Sequence, residues 1–250
     1  MLIDSHCHLI NEDYNIDEVI NNAKENDVKY LIVSGSDQED NRKNIELLNS
    51  YDNIFLSVGF HPCCSIKIKE EDYSFIEESI KNEKVVAIGE IGLDYYYGKD
   101  DIIEQQELFE RQLKIAEKYN IPVVIHTRDA FEDTYNTLKK YNVKGVIHCF
   151  SGSLEVAKRY IDLGFYLGIG GVVTFKNSKL KEVVKEVGLS HIILETDSPY
   201  LSPKRGEKNE PANIKLIAEF LSELLGLSYD EVSKITTRNV IELFNLDIDL

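Results

Sequence analysis

The strongest constraint on this chain is an alternation. Short apolar runs recur at Leu2–Asp4, Tyr30–Ser34, Ile54–Val58, Val85–Gly89, Pro122–Ile125, Gly145–Ile147, Phe165–Ile169 and His191–Leu194. Between them lie segments with helical spacing, such as Ile16, Val19, Ile20 and Ala23, or Leu154, Val156, Ala157 and Ile161. Strands joined through helices pair in parallel, and parallel strands are covered on both faces. That explains why the runs are apolar throughout instead of alternating with charge. Eight such units in 250 residues predict an α/β fold, a (β/α)8 TIM barrel formed as a single domain over residues 1–250. A doubly wound open sheet is the competing architecture, but it normally opens with a glycine-rich turn after the first strand. Here the chain reads His6-Cys7-His8 at that point. Pro211–Leu225 and Tyr229–Phe244 are expected as two closing helices, the second capped by Ser228.

Composition narrows the class. With 43% hydrophobic and 29% charged residues the chain is globular, which excludes disorder and fibre. A formal charge of −16 makes the surface as a whole repel polyanions, so any nucleic-acid contact must be local. Cys7, Cys63, Cys64 and Cys149 form no CxxC pair, which points to reduced thiols. The first residues lack a basic and apolar leader, and no run approaches the roughly 18 apolar residues of a membrane span. A soluble cytoplasmic protein is expected, with no membrane association and no obligate protein partner.

Five of the six histidines, His6, His8, His61, His126 and His148, fall at or just past the C-terminal end of an expected strand, as do Glu90 and Asp197. In the expected fold all such ends converge on one mouth, where active sites of this class sit. His6 and His8, two apart, project to one face and read either as a metal-ligand pair or as a solvated strand end. Glu90 ends an apolar run with a carboxylate, which must be solvated, paired or metal-bound. As a metal ligand it has two oxygens and can bridge two cations. His126 and His148 end neighbouring runs and read as ligands or as structural histidines. Asp197 can bind metal and accept a proton. Asp94, after a glycine-containing turn, orients a water or is simply a turn acid. His61 is held extended by Pro62 and is expected to touch substrate. Arg128 suits a phosphate clamp, because guanidinium donates two parallel hydrogen bonds. Lys176, Lys204 and Arg205 supply a local positive patch or lie in solvated loops.

Taken in order, these residues resemble the TatD family of metal-dependent deoxyribonucleases, within the amidohydrolase-like barrels. The resemblance runs from Asp4-Ser5-His6-Cys7-His8-Leu9 through Gly59-Phe60-His61-Pro62, Gly89-Glu90-Ile91-Gly92-Leu93-Asp94-Tyr95, His126-Thr127-Arg128 and Gly145-Val146-Ile147-His148-Cys149-Phe150 to Glu195-Thr196-Asp197-Ser198-Pro199 and Asn209-Glu210-Pro211. It implies two divalent cations, Mg, Mn or Zn: His6, His8, Glu90 and Asp197 around one, and Glu90, His126 and His148 around the other, with Glu90 bridging. The span between Pro203 and Arg205 is shorter than the family pattern.

The resemblance implies metal-assisted hydrolysis of DNA from a strand end, 3′ to 5′, with single strands preferred. Glu90 and Asp197 are the expected catalytic residues, and His61, Asp94, Arg128 and Arg205 the expected substrate contacts. The acidic charge agrees, since a protein tracking long duplexes carries a broad basic face. The alternative is hydrolysis of a carboxylic ester or amide, such as deacylation of a misacylated tRNA. A non-catalytic binding protein is the third reading, and its signature, a missing ligand, is not present in the sequence.

Overall fold

The computed structural model describes residues 1–10, 14–98 and 100–248. In chain order the elements are β1 (Leu2–Cys7), α1 (Ile16–Glu25), β2 (Val28–Ser34), α2 (Gln38–Leu47), β3 (Ile54–Ser57), α3 (Glu70–Ser79), β4 (Val85–Asp94), α4 (Ile102–Tyr119), β5 (Val123–Arg128), α5 (Phe131–Leu138), β6 (Gly145–Ile147), α6 (Leu154–Asp162), β7 (Tyr166–Ile169), α7 (Leu180–Val187), β8 (Ile192–Leu194), α8 (Ile214–Leu225) and α9 (Tyr229–Phe244). The strands follow one another in sheet order from β1 to β8. This is the (β/α)8 class that the alternation predicts. By contact density the chain divides into two units, Met1–Val33 with Cys149–Leu250, and Ser34–His148.

In the first unit β1 runs parallel to β2, with Ile3 opposite Tyr30 and Asp4 opposite Leu31, and β7 runs parallel to β8. The backbone after β8 meets the end of β1: Asp197 N–H donates to the His6 carbonyl at 3.0 Å, and His8 N–H to that of Ser198 at 2.8 Å. The closing helix α9 packs on β8 and β1. Its Asn239 amide donates to the Leu189 and Ile192 carbonyls at 2.8 and 2.7 Å and so ties the helix to the start of β8. Ser228 caps α9 in a reciprocal pair with Glu231, as the sequence predicts. The other closing helix differs. Pro211–Asn213 forms a separate 3-10 turn and α8 begins only at Ile214. Proline fixes its φ for a first turn whether that turn is α or 3-10, so it does not mark the α-helical start.

In the second unit β4 is the longest strand, ten residues with every one buried. It pairs in parallel with β5, and Gly92, Leu93 and Asp94 stand opposite His126, Thr127 and Arg128. The strand therefore runs on through Glu90 to Asp94, where the sequence suggested a turn. Gly92 makes this possible: its φ is +149°, and a Cβ there would stand 1.9 Å from the His126 carbonyl oxygen. Val123, Val124 and Ile125 of β5 are fully buried, each worth about 1.5–3 kcal/mol of apolar burial. Helix α4 covers β4 and inserts two buried amides, Gln105 and Gln112.

Candidate metal centre

The first unit gathers three donor atoms. His6 Nε2 lies 3.2 Å from His8 Nε2, and Asp197 Oδ1 lies 3.5 and 3.6 Å from the two. Four ligands about 2.1 Å from a tetrahedral cation stand roughly 3.4 Å apart, so this triangle has the spacing of one coordination face. His6 is fully buried at the penultimate position of β1, and His8 follows one residue beyond that strand. Asp197 adopts φ +55°, a left-handed conformation that Asp tolerates better than most residues.

Behind this triangle stands a residue that the sequence reading left without a role. Asp4 is fully buried in β1 and accepts hydrogen bonds from Thr196 N–H at 2.9 Å, from Thr196 Oγ1 at 2.5 Å and from His6 N–H at 3.3 Å. Burial pushes its carboxyl up to about 8, against the hydrogen bonds from Thr196 and His6 that lower it. Its place is to tie β1 to the segment that carries Asp197. The signal was an acid inside an apolar run. Glu195 is likewise buried and accepts from Cys149 N–H at 2.5 Å, and Gly168 leaves it room, since a Cβ there would stand 2.2 Å from Glu195 Oε2. The Asn209 amide donates to the carbonyls of Thr196 and Tyr200 at 2.7 and 2.6 Å and so braces the loop around Asp197.

The second unit gathers a carboxylate among imidazoles. Glu90 Oε1 lies 2.7 Å from His126 Nδ1, 3.3 Å from His148 Nε2 and 3.8 Å from His61 Nε2. Glu90 and His148 are buried, and His126 and His61 are partly so. Burial acts to raise the Glu90 carboxyl, but the imidazoles of His148, His126 and His61 together hold it well below the usual range. For His126 burial lowers the ring and the carboxylates of Asp94 and Glu90 reverse this, leaving it raised. For His61 burial prevails and pushes it down to about 4.

Asp94 is the last residue of β4, and its Oδ2 lies 3.0 Å from His126 Nε2 while Oδ1 accepts from Tyr96 N–H at 2.9 Å. It thus holds the imidazole of a candidate ligand. Gln105 fixes this strand end, accepting from Asp94 N–H and donating to the Asp94 carbonyl, both at 2.9 Å. The His61 loop is pinned by Gln112, which accepts from Phe60 N–H at 2.8 Å and donates to its carbonyl at 3.0 Å. His61 is extended, as Pro62 predicts, with φ −61° and ψ 146°. Arg128 is half-buried at the end of β5. Lys176, Lys204 and Arg205 are exposed, and Lys204 pairs with Glu207 at 4.0 Å.

Both donor sets mix imidazole nitrogen with carboxylate oxygen, the chemistry that holds Zn²⁺, Mn²⁺ or Fe²⁺ and, with phosphate, Mg²⁺. The residues present fit divalent metal, and a (β/α)8 protein with such donors at its strand ends has the build of a metal-dependent hydrolase.

The family model described as TatD related DNase matches residues 3–245, and the chain belongs to that family. It is 43% identical to the uncharacterized metal-dependent hydrolase YabD of Bacillus subtilis, across 99% of this chain and 100% of that one. It is 37% identical to the uncharacterized metal-dependent hydrolase YcfH of Escherichia coli, across 98% and 96%. The crystal structure of YjjV, a TatD homologue from Escherichia coli, superposes with a TM-score of 0.91 at 31% identity, covering 98% of each chain. The protein is a metal-dependent hydrolase. Among the described residues no helix is long and apolar enough to cross a membrane.

Proposed function

We propose that this hydrolase cleaves phosphodiester bonds of DNA, trimming single strands from the 3′ end. The observation that carries the reading is the place of Arg128, opposite Asp94 in the β4–β5 register and so beside the carboxylate that holds His126. A guanidinium next to a metal-ligand cluster is suited to a substrate that is itself an anion with paired oxygens. The family's description as TatD related DNase supports the same substrate.

In this reading His6, His8 and Asp197 would hold one divalent cation, and Glu90, His126 and His148 another, and the cations would supply Lewis acidity for water ionisation and for charge on the phosphate. Asp197 accepts the proton of the attacking water. Glu90 stays ionised among its imidazoles. Arg128 orients a phosphate oxygen, and His61, neutral at physiological pH because of its burial, donates or accepts one hydrogen bond without adding charge. Arg205 reaches the strand from its exposed loop. The formal charge of −16 favours binding at a strand end, since a chain so acidic repels the length of a duplex. A cytoplasmic location accords with four cysteines in the reduced state.

The test is degradation of end-labelled oligodeoxynucleotides with Mg²⁺, Mn²⁺ or Zn²⁺, beside a Glu90→Gln variant and a parallel assay on aminoacyl-tRNA. Metal-dependent shortening from the 3′ end by the parent and its absence in the variant support the reading. Equal shortening by both, or cleavage of aminoacyl-tRNA alone, overturns it.

A further inference from the structure

Three consecutive tyrosines follow Asp94, and the structure treats them differently. Tyr95 is buried at 8% exposure, its hydroxyl 3.0 Å from the Asp133 carboxylate. Tyr96 and Tyr97 are exposed at 56% and 77%. Their rings meet edge to face, with centroids 5.0 Å apart and planes at 89°. The Arg128 guanidinium carbon lies 3.5 Å from the Tyr96 centroid and 5.5 Å from that of Tyr97. Neither exposed ring serves the core, so folding does not account for keeping two aromatics in water here.

The cluster is also fixed in place. Asp94 Oδ1 accepts from Tyr96 N–H at 2.9 Å, and Tyr95 N–H donates to the Arg128 carbonyl at 2.9 Å. The same Asp94 carboxylate holds His126, so the rings are anchored one residue group away from a candidate metal ligand. Lying over the Tyr96 ring, the guanidinium is held by its cation–π contact and keeps N–H donors for an anion. Tyr97 also lines a hollow with Asp94, Asp100 and Asp101.

We propose that Tyr96 and Tyr97, with Arg128 lying over Tyr96, form a nucleobase-stacking platform beside the metal centre, where an unpaired base of the substrate strand lies while Arg128 holds an adjoining phosphate. This rests on the deoxyribonuclease reading of the site. Every base has a π-face, so such a platform favours single strands without demanding sequence. A paired base would have to leave its helix to reach it, and the preference for unpaired ends follows from that cost.

Two matched probes test it: oligothymidylate and a strand of the same length built from base-free sugars, both phosphorothioate-linked to resist hydrolysis and fluorescently labelled. Binding is read by anisotropy with Ca²⁺ present, for the parent, Tyr96→Leu/Tyr97→Leu and Tyr96→Phe/Tyr97→Phe, each checked by thermal melting. The parent is expected to prefer the base-bearing strand by about tenfold, about 1.4 kcal/mol. The Leu pair should lose that preference and the Phe pair keep it. A parent without preference, or a Leu pair that retains it, overturns the platform. Hydrolysis of ordinary oligonucleotides, run alongside, separates the two readings. Preference without hydrolysis sinks the nuclease assignment and leaves the platform, whereas hydrolysis with preference intact in the Leu pair does the reverse.

Discussion

Asp94 Oδ2 stands 3.0 Å from Nε2 of His126, while the other nitrogen of that ring, Nδ1, stands 2.7 Å from Glu90. One imidazole is thus held between two carboxylates from the same strand, β4, four residues apart in sequence. A carboxylate behind a ligating histidine fixes its tautomer and ring angle and raises its basicity. Replacing Asp94 by Asn keeps the shape and removes the charge. Metal affinity should fall by about ten- to a hundredfold, read by competition with a chromogenic chelator. An unchanged affinity would show that Asp94 positions nothing.

Removing metal should cost stability in proportion to occupancy. A ligand that binds only the folded chain, at a free concentration a hundred times its Kd, adds about 2.7 kcal/mol. For a chain of this size that shifts Tm by about 5–10 °C per ion. Calorimetry of protein treated with chelator, then reloaded with Mn²⁺ or Zn²⁺, should show the drop and its reversal. Identical melting curves in both states count against the donor sets as metal sites.

His61 gives the metal-free protein a pH dependence of definite sign. Burial lowers its folded value to about 4, against about 6.5 for an unperturbed imidazole. A lowered folded value means that the unfolded chain takes up the proton first. The contribution is therefore complete above about pH 6.5 and is lost as pH falls toward 4. Urea unfolding of metal-free protein across that window should show a steeper acid loss than the His61→Gln variant. Parallel curves would contradict the burial argument.

Gly92→Ala tests the passage of β4 past β5. With φ at +149° and a Cβ position 1.9 Å from the His126 carbonyl oxygen, no rotamer relieves the clash, and the strand must shift. A loss of about 3 kcal/mol or more is expected in denaturant titration, together with weaker metal binding through His126. A substitution costing less than about 1 kcal/mol would mean that β4 has slack where the geometry shows none.

Much of this was legible in the sequence because it is carried by period and position. Val123–Ile125 and Ile192–Leu194 are apolar without interruption since both faces are covered, and that pattern needs no partner to be recognised. His6, His8, Glu90, His126, His148 and Asp197 each read singly as a structural or solvated residue as well as a ligand, and stand out because imidazoles and carboxylates recur together at the ends of apolar runs. The roles of Asp4, Gln105 and Gln112 were not legible. Asp4 and Gln112 act through partners distant in sequence, Thr196 and Phe60, and a buried amide in an amphipathic helix, such as Gln105, resembles a polar-face residue until the neighbour is known. Asp94 was placed after a turn because glycine normally punctuates strands, whereas Gly92 permits the strand to continue. Tyr96 and Tyr97 carry no signal in the sequence beyond following Tyr95, and exposure separates them from it.

The two donor sets differ in when a growing chain can complete them. His61, Glu90, His126 and His148 lie within the contiguous Ser34–His148 unit, so their segment is finished once residue 148 has emerged from the ribosome. His6 and His8 precede that unit, yet the Asp4 clasp that secures their neighbourhood closes on Thr196, 192 positions after Asp4. The first triangle takes its carboxylate from Asp197, so its three donor atoms can meet only after synthesis has passed that residue.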